Sequence, residues 1–116
     1  MTANINIKKL KDSAVIPTGI ALEIPVGYAG LIYARSGLSC KQGLAPANKV
    51  GVIDADYRGE IIVALHNHGD SAKTVEPGDR IAQMVITPFL TANFIETDEL
   101  NDTVRGEGGF GSSGKN

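Results

Sequence analysis

The chain has 116 residues, 42% of them apolar and 21% charged, with a formal net charge of -2. That length fits one domain, large enough to bury a core yet small enough for subunit contacts to matter, and the slight acidity supplies no basic footprint for binding nucleic acid. Its one cysteine, Cys40, excludes an intrachain disulfide and fits a reducing compartment, and no apolar run has the length of a signal peptide or a membrane span, so a soluble cytoplasmic protein is expected.

Helical periodicity is poor, because Gly or Pro interrupts most stretches. Strands are predicted instead, in chain order at NINIKKL (4–10), GIALEIP (19–25), GYAGLIYA (27–34), GEIIVALHN (59–67), DRIAQMVI (79–86) and TANFIET (91–97). The turn clusters PVG, NHGDS and EPGD punctuate them. IIVALHN and RIAQMVI carry apolar residues on both alternating faces, which implies a sandwich or a sheet face covered by another subunit. The expected fold is all-β, a jelly-roll sandwich or barrel. From TDELNDT onward the chain turns polar and then glycine-rich, so a core domain over 1–97 and a flexible C-terminal arm over 98–116 are predicted.

Three segments carry candidate chemistry. ARSGLS leaves an apolar strand and delivers Arg35, Ser36 and Gly37 into a turn, where a guanidinium fork, a hydroxyl and an approachable backbone suit a phosphate. Alone, such a triplet is more often an ordinary turn. NKVGVIDADYRGE places Asp54 and Asp56 on one face if extended, able to hold a water or cation, with Tyr57 offering a flat surface to a sugar or base. The same stretch also reads as a β-hairpin turn with solvated carboxylates. The ending RGEGGFGSSGKN approaches a phosphate-loop spacing from Gly109 to Lys115, but Asn116 stands where Ser or Thr would bind magnesium, so that reading is rejected. Its glycine and serine N–H groups can still wrap an anion, and Phe110 can cover a base.

Other polar residues have plainer readings. His66 and His68 share a face if extended, yet two ligands do not close a zinc site. Asp79 and Arg80 are expected to pair locally, Gln83 to be a buried polar group held by neighbours, and Cys40 to lie unactivated in a loop.

Taken together, RSGL, GVIDADYRGE, GDRIAQ and RGEGGFGSSG resemble, in order and spacing, four of the five signature motifs of the trimeric dUTPases. IKKLKDSAVIPT is similar to that family's opening strand. The resemblance implies a jelly-roll homotrimer that hydrolyses dUTP to dUMP and pyrophosphate by water attack at the α-phosphorus, with Mg2+ on the triphosphate. Such an enzyme limits uracil incorporation into DNA and supplies dUMP for dTMP synthesis. Each site would be shared by three subunits, the tail of one closing over a crevice formed by the others. By position, Asp54 is implied as the base that deprotonates the water. Tyr57 would pack on the deoxyribose and reject a 2′-hydroxyl, while Asn48, Val52 and the backbone around them would read the uracil edge. Arg35, Ser36, Gly37 and Gln83 would hold phosphates. Arg105, Gly111, Ser112 and Ser113 would grip the γ-phosphate, and Phe110 would stack on uracil.

One element of the pattern is missing. The family's Ala-Gly-x-Asp-Leu strand should stand before PTGIALEIP, but here SAVIPT runs straight into GIALEIP. The carboxylate of that strand helps hold hydrated magnesium, and loss of the segment should leave a gap in packing. The alternative function is therefore a dUTP-binding or regulatory module with weakened or absent catalysis.

Overall fold

The computed structural model describes residues 5–7 and 12–111, with side chains from Ala14 onward. Eight strands and one short helix occur among them: β1 (Ile5–Ile7), β2 (Asp12–Ala21), β3 (Tyr28–Tyr33), α1 (Ser36–Gln42), β4 (Leu44–Pro46), β5 (Gly51–Ile53), β6 (Glu60–Asn67), β7 (Lys73–Val75) and β8 (Gln83–Pro88). They form three antiparallel sheets, β1-β7, β2-β6-β4 and β5-β3-β8. The all-β expectation holds.

The two three-stranded sheets face each other across one core. Ile16 of β2, Leu44 of β4 and Ile61, Val63 and Leu65 of β6 meet Ile32 of β3, with Ile53 and Met84 packed at the margin. Alternation along β6 explains the layering, since Ile61, Val63, Leu65 and Asn67 are buried while Ile62 faces out. Leu65 has no exposed surface at all. Leu65→Ala is therefore expected to cost about 2–5 kcal/mol, measured as a lower urea midpoint at unchanged slope. A loss below about 1 kcal/mol would move the centre of the core elsewhere.

Several local expectations need correction. The sandwich alone does not bury both faces of β6 and β8, since Ile62, Val85 and Ile86 are about half exposed in the single chain, which leaves the reading of a face covered by another subunit. GIALEIP is not a strand throughout, because β2 begins earlier, at Asp12, and ends at Ala21. The stretch from Ala14 to Ala21 runs on as this one strand, its pairing to β6 shifting between Pro17 and Ala21, where Gly19 adopts φ 77. TANFIET forms no strand either; β8 ends at Pro88, and 91–97 lie exposed without ladder partners. The predicted turns are present: Tyr28 donates its N–H to Pro25 O, and Asp79 donates to Glu76 O while its carboxylate accepts the Glu76 N–H. Asp79 thus caps its own turn, where a pairing with Arg80 was expected.

α1 escaped the periodicity reading because it has seven residues and buries none of them fully. It stops at Gly43, whose φ of 76 returns its N–H to Leu38 O. Cys40 consequently sits exposed on a helix, not in a loop. Beyond Phe89 the chain leaves the sandwich: the radius of gyration is 19.2 Å, against about 13–14 Å for a compact domain of this length. No helix among the described residues is long and apolar enough to cross a membrane.

Candidate active site

The residues singled out by chemistry fall on three parts of the chain. Arg35 is the N-cap residue of α1, extended at φ -94 and ψ 130, and Ser36 and Gly37 open the helix where a turn was expected. Their position follows from β3, an apolar strand that ends at Tyr33 and hands the chain directly to α1. Gln83 starts β8 opposite Tyr33, and its Nε2 donates to Ala34 O at 2.8 Å. It is exposed, contrary to the expectation of a buried polar group, and it ties the start of β8 to the residue before Arg35. Arg35 and Gln83 line one cleft of about 480 Å³, floored by Ile32, Ile61, Val63 and Met84. Thr18 and Ile20 of β2 also line it.

Asn48, Val52, Asp54 and Tyr57 lie on a second part. The stretch is no hairpin: β5 pairs with β3, and β6 pairs with β2 and β4, so residues 54–59 cross from one sheet to the other. Asn48 is exposed in the turn between β4 and β5, where Val50 donates its N–H to Asn48 O. A Cβ on Gly51 would sit 3.2 Å from Asn48 Nδ2, so the glycine lets the amide lie close over the start of β5. Val52 is paired to Leu31 and faces solvent.

Asp54 leaves β5 immediately after the partly buried Ile53 and opens a turn closed by Tyr57 N–H to its carbonyl at 3.2 Å. Arg58 fastens the same link, donating to Ala55 O at 2.7 Å and to Tyr57 O at 3.3 Å, with Glu23 3.8 Å away. Both charges of that pair are exposed, so the ion pair adds little stability; the carbonyl bonds shape the turn. Asp54 and Asp56 line a second cleft, of about 740 Å³, with Glu23, Gly27 and Phe89. Both carboxylates face solvent there.

The third part is the tail. Arg105 Nε donates to Gly108 O, Gly108 returns its N–H to Arg105 O, and Gly106 donates to Thr103 Oγ1. Phe110 is fully exposed at φ 51, and Gly111 follows at φ 87. Ser112 and Ser113 lie outside the described residues.

Within one chain, then, Arg35 and Gln83 share a cleft, Asp54 lines another, and Phe110 stands in solvent. The sequence reading missed Glu60. Its carboxylate accepts the Gly19 N–H at 2.7 Å, and its carbonyl accepts the Tyr57 hydroxyl at 2.7 Å. Glu60 was visible in DYRGE, but a bond to Gly19, 41 residues away, has no local signature. Among the described residues no group of three or more His, Cys, Asp or Glu side chains gathers to hold a metal ion.

The two three-stranded sheets, the Arg-Ser-Gly helix start and the exposed aspartate–tyrosine link between the sheets define an antiparallel all-β sandwich with polar side chains at two clefts. Comparison with known proteins makes the class specific: a dUTPase family model matches residues 1–114, and the chain belongs to the dUTPase family. It is 56% identical over 100 residues to a deoxyuridine 5'-triphosphate nucleotidohydrolase of Desulfitobacterium hafniense, covering 85% of this chain and 66% of that protein. A second such protein, from Aeromonas salmonicida, is 48% identical over 105 residues, 90% of this chain and 69% of the other. The chain thus spans about two thirds of the length of these relatives. Among solved structures, a Staphylococcus bacteriophage 80alpha dUTPase variant with dUpNHpp superposes with a TM-score of 0.87 at 31% identity, over 97% of this chain and 81% of that one. A variant dUTPase of phage phi11 of S. aureus, described with a structural Mg(II) ion, gives 0.75 at 27% identity, over 83% and 78%.

Proposed function

We propose that this chain hydrolyses dUTP to dUMP and pyrophosphate as a homotrimer whose active sites are shared between subunits. The observation that carries the reading is the division of the site residues: the phosphate-binding candidates Arg35 and Gln83 line one cleft and the base Asp54 another. Each chain offers two half-sites, and a cyclic assembly joins the phosphate half of one subunit to the base half of the next. Separation of this kind leaves the chain with no complete site of its own.

In this reading Asp54 takes the proton from a water aligned on the α-phosphorus, and the exposed carboxylate is free to do so. Arg35, Ser36, Gly37 and Gln83 hold the phosphates on which charge develops, with donors fixed before the reaction begins. Tyr57 packs against the deoxyribose, while Asn48, Val52 and their backbone meet the uracil edge. The core domain covers 1–97, and the arm over 98–116 supplies Arg105, Phe110, Gly111, Ser112 and Ser113 as a lid that shuts out bulk water. Exposed apolar side chains on the approach to the arm, Leu90, Phe94 and Ile95, and Leu100 within it, fit a segment that packs on another subunit. Mg2+ would be carried on the triphosphate, since magnesium commonly binds through substrate phosphates, and there it would neutralise phosphate charge. A cytoplasmic location completes the proposal, on the single cysteine.

The test is pyrophosphate release from dUTP with Mg2+, made on two variants separately and mixed. Arg35→Ala and Asp54→Asn should each be inactive alone. After unfolding and refolding together, about one site in four should combine an intact half from each, restoring that fraction of activity. No recovery from a mixture that reassembles as trimers would place the whole site within one subunit. Binding of dUpNHpp to the unaltered protein without pyrophosphate release would identify the chain as a dUTP-binding module.

A further inference from the structure

The closest approach of any glycine to a candidate site side chain occurs at Gly59. A Cβ built there would lie 2.5 Å from the Tyr57 hydroxyl oxygen, 2.7 Å from Cζ and 3.0 Å from Cε1. Non-bonded carbon atoms rest at about 3.5–4.0 Å, so the Tyr57 ring occupies the space a side chain at 59 would fill. The φ of Gly59 lies outside the left-handed region, so glycine is not required there by its backbone. All three of the nearest atoms belong to the far part of the Tyr57 ring. The constraint at 59 is therefore on where that ring lies and not on how the chain folds.

Everything else about Tyr57 is already held. Its N–H bonds Asp54 O, its carbonyl accepts from Arg58, and its hydroxyl reaches Glu60 O across Gly59. With the backbone fixed at both ends of the peptide unit, the remaining freedom is rotation of the side chain. The open space over Gly59, together with the Glu60 carbonyl, selects one position. Tyr57 as a residue still shows 42% of its surface, so it remains accessible to a ligand.

We propose that Gly59 is a positioning residue for sugar discrimination: by leaving room for the folded-back Tyr57 ring, it sets the plane against which a deoxyribose packs and a 2′-hydroxyl is refused. This rests on the reading of Tyr57 as the sugar-facing ring. In Gly59→Ala the ring must swing away and give up its bond to Glu60 O, while the backbone keeps its conformation. Steric refusal of one hydroxyl depends on sub-ångström placement of the refusing surface, so selectivity suffers before stability does.

The experiment compares kcat/KM for dUTP and UTP, with thermal unfolding and sedimentation, in Gly59→Ala, Tyr57→Ala and the double variant. Gly59→Ala should lower the dUTP-over-UTP preference at least tenfold, mainly through a higher kcat/KM for UTP, with trimer and melting temperature retained. Tyr57→Ala should lose the preference to a similar or greater degree. The double variant should match Tyr57→Ala, because Gly59 acts only through the ring. If Tyr57→Ala keeps full preference, the sugar reading of Tyr57 fails. If Tyr57→Ala loses it and Gly59→Ala does not, the proposal for Gly59 alone is overturned. Unfolding of Gly59→Ala, or a further loss in the double variant, overturns it as well, since either assigns Gly59 a role apart from the ring.

Discussion

Asp54→Asn should lower the turnover of dUTP by about 10²–10⁴-fold, the range a positioned general base contributes, while dUpNHpp binds within about threefold of its original affinity. The amide is nearly isosteric with the carboxylate but has no lone pair basic enough to take a proton from water. The fold has no stake in the charge: Asp54 is solvent-exposed, and its contribution to the link is its main-chain carbonyl, which accepts the Tyr57 N–H. Ile53 before it remains packed against the core, so the position of residue 54 is set by neighbours the substitution leaves alone. The measurement is pyrophosphate release at saturating dUTP and Mg2+, beside calorimetric titration with the non-hydrolysable analogue. Turnover within about threefold of the parent protein would remove Asp54 as the base. Loss of analogue binding in parallel with turnover would make it a binding residue instead.

How much of this was legible in the sequence depends on the range of the cause. Turns were read correctly at 25–27 and 76–79, because Pro, Gly and Asp act on their own backbone and the bonds that close those turns span a few residues. The strand at 28–33 was legible for a similar reason, as a β-rich run bounded by turn residues. The errors lie where partners distant in sequence decide. β2 absorbed SAVIPT because residues 12–17 find β6 opposite them, whereas Leu22 to Pro25 find no ladder. TANFIET alternates like a strand, yet within one chain nothing lies beside it, and its apolar side chains remain in solvent. The helix at 36–42 is too short to show a period, and it is closed at its C-terminal end by Gly43.

For the candidate site the pattern is the same. Residue types and spacing single out Arg35, Asp54 and Tyr57 as candidates, since each carries its chemistry in its own side chain, and Gln83 joins them only through the family resemblance. The resemblance implied sites shared between subunits, and within one chain Arg35 and Gln83 lie in one cleft and Asp54 in another; which residues share a cleft has no signature in spacing. The contacts of Gly59 and Glu60 with Tyr57 were not legible because they depend on where the ring folds, a matter of side-chain rotation that no sequence spacing encodes.

Gly43→Ala should be the most damaging glycine substitution in the described chain, and its comparison with Gly78→Ala separates two causes. Both glycines have left-handed φ, 76 and 88. That conformation costs an L-residue about 1–2 kcal/mol. At Gly78 a Cβ would meet nothing within 4 Å, so the conformational cost is the whole effect. At Gly43 it would lie 2.8 Å from Gly69 N and 2.9 Å from Gly69 Cα, and both are main-chain atoms that cannot rotate aside. The turn they belong to is held from within: Asn67, fully buried, accepts the Gly69 N–H on Oδ1 and donates Nδ2 to Ser71 O, while His68 donates its N–H to Gly43 O. Relief of the overlap must pull one of these bonds apart, adding about 1–3 kcal/mol. Gly43→Ala should thus lower the melting temperature by on the order of 10–20 °C and Gly78→Ala by less than about half of that. Because Gly43 also ends the helix that begins at Arg35 and Ser36, the surviving folded protein should show a raised KM for dUTP, an effect Gly78→Ala should lack. Equal melting temperatures for the two variants would mean that the turn at 67–71 gives way freely, and that the helix carrying the proposed phosphate residues is not braced from its C-terminal end.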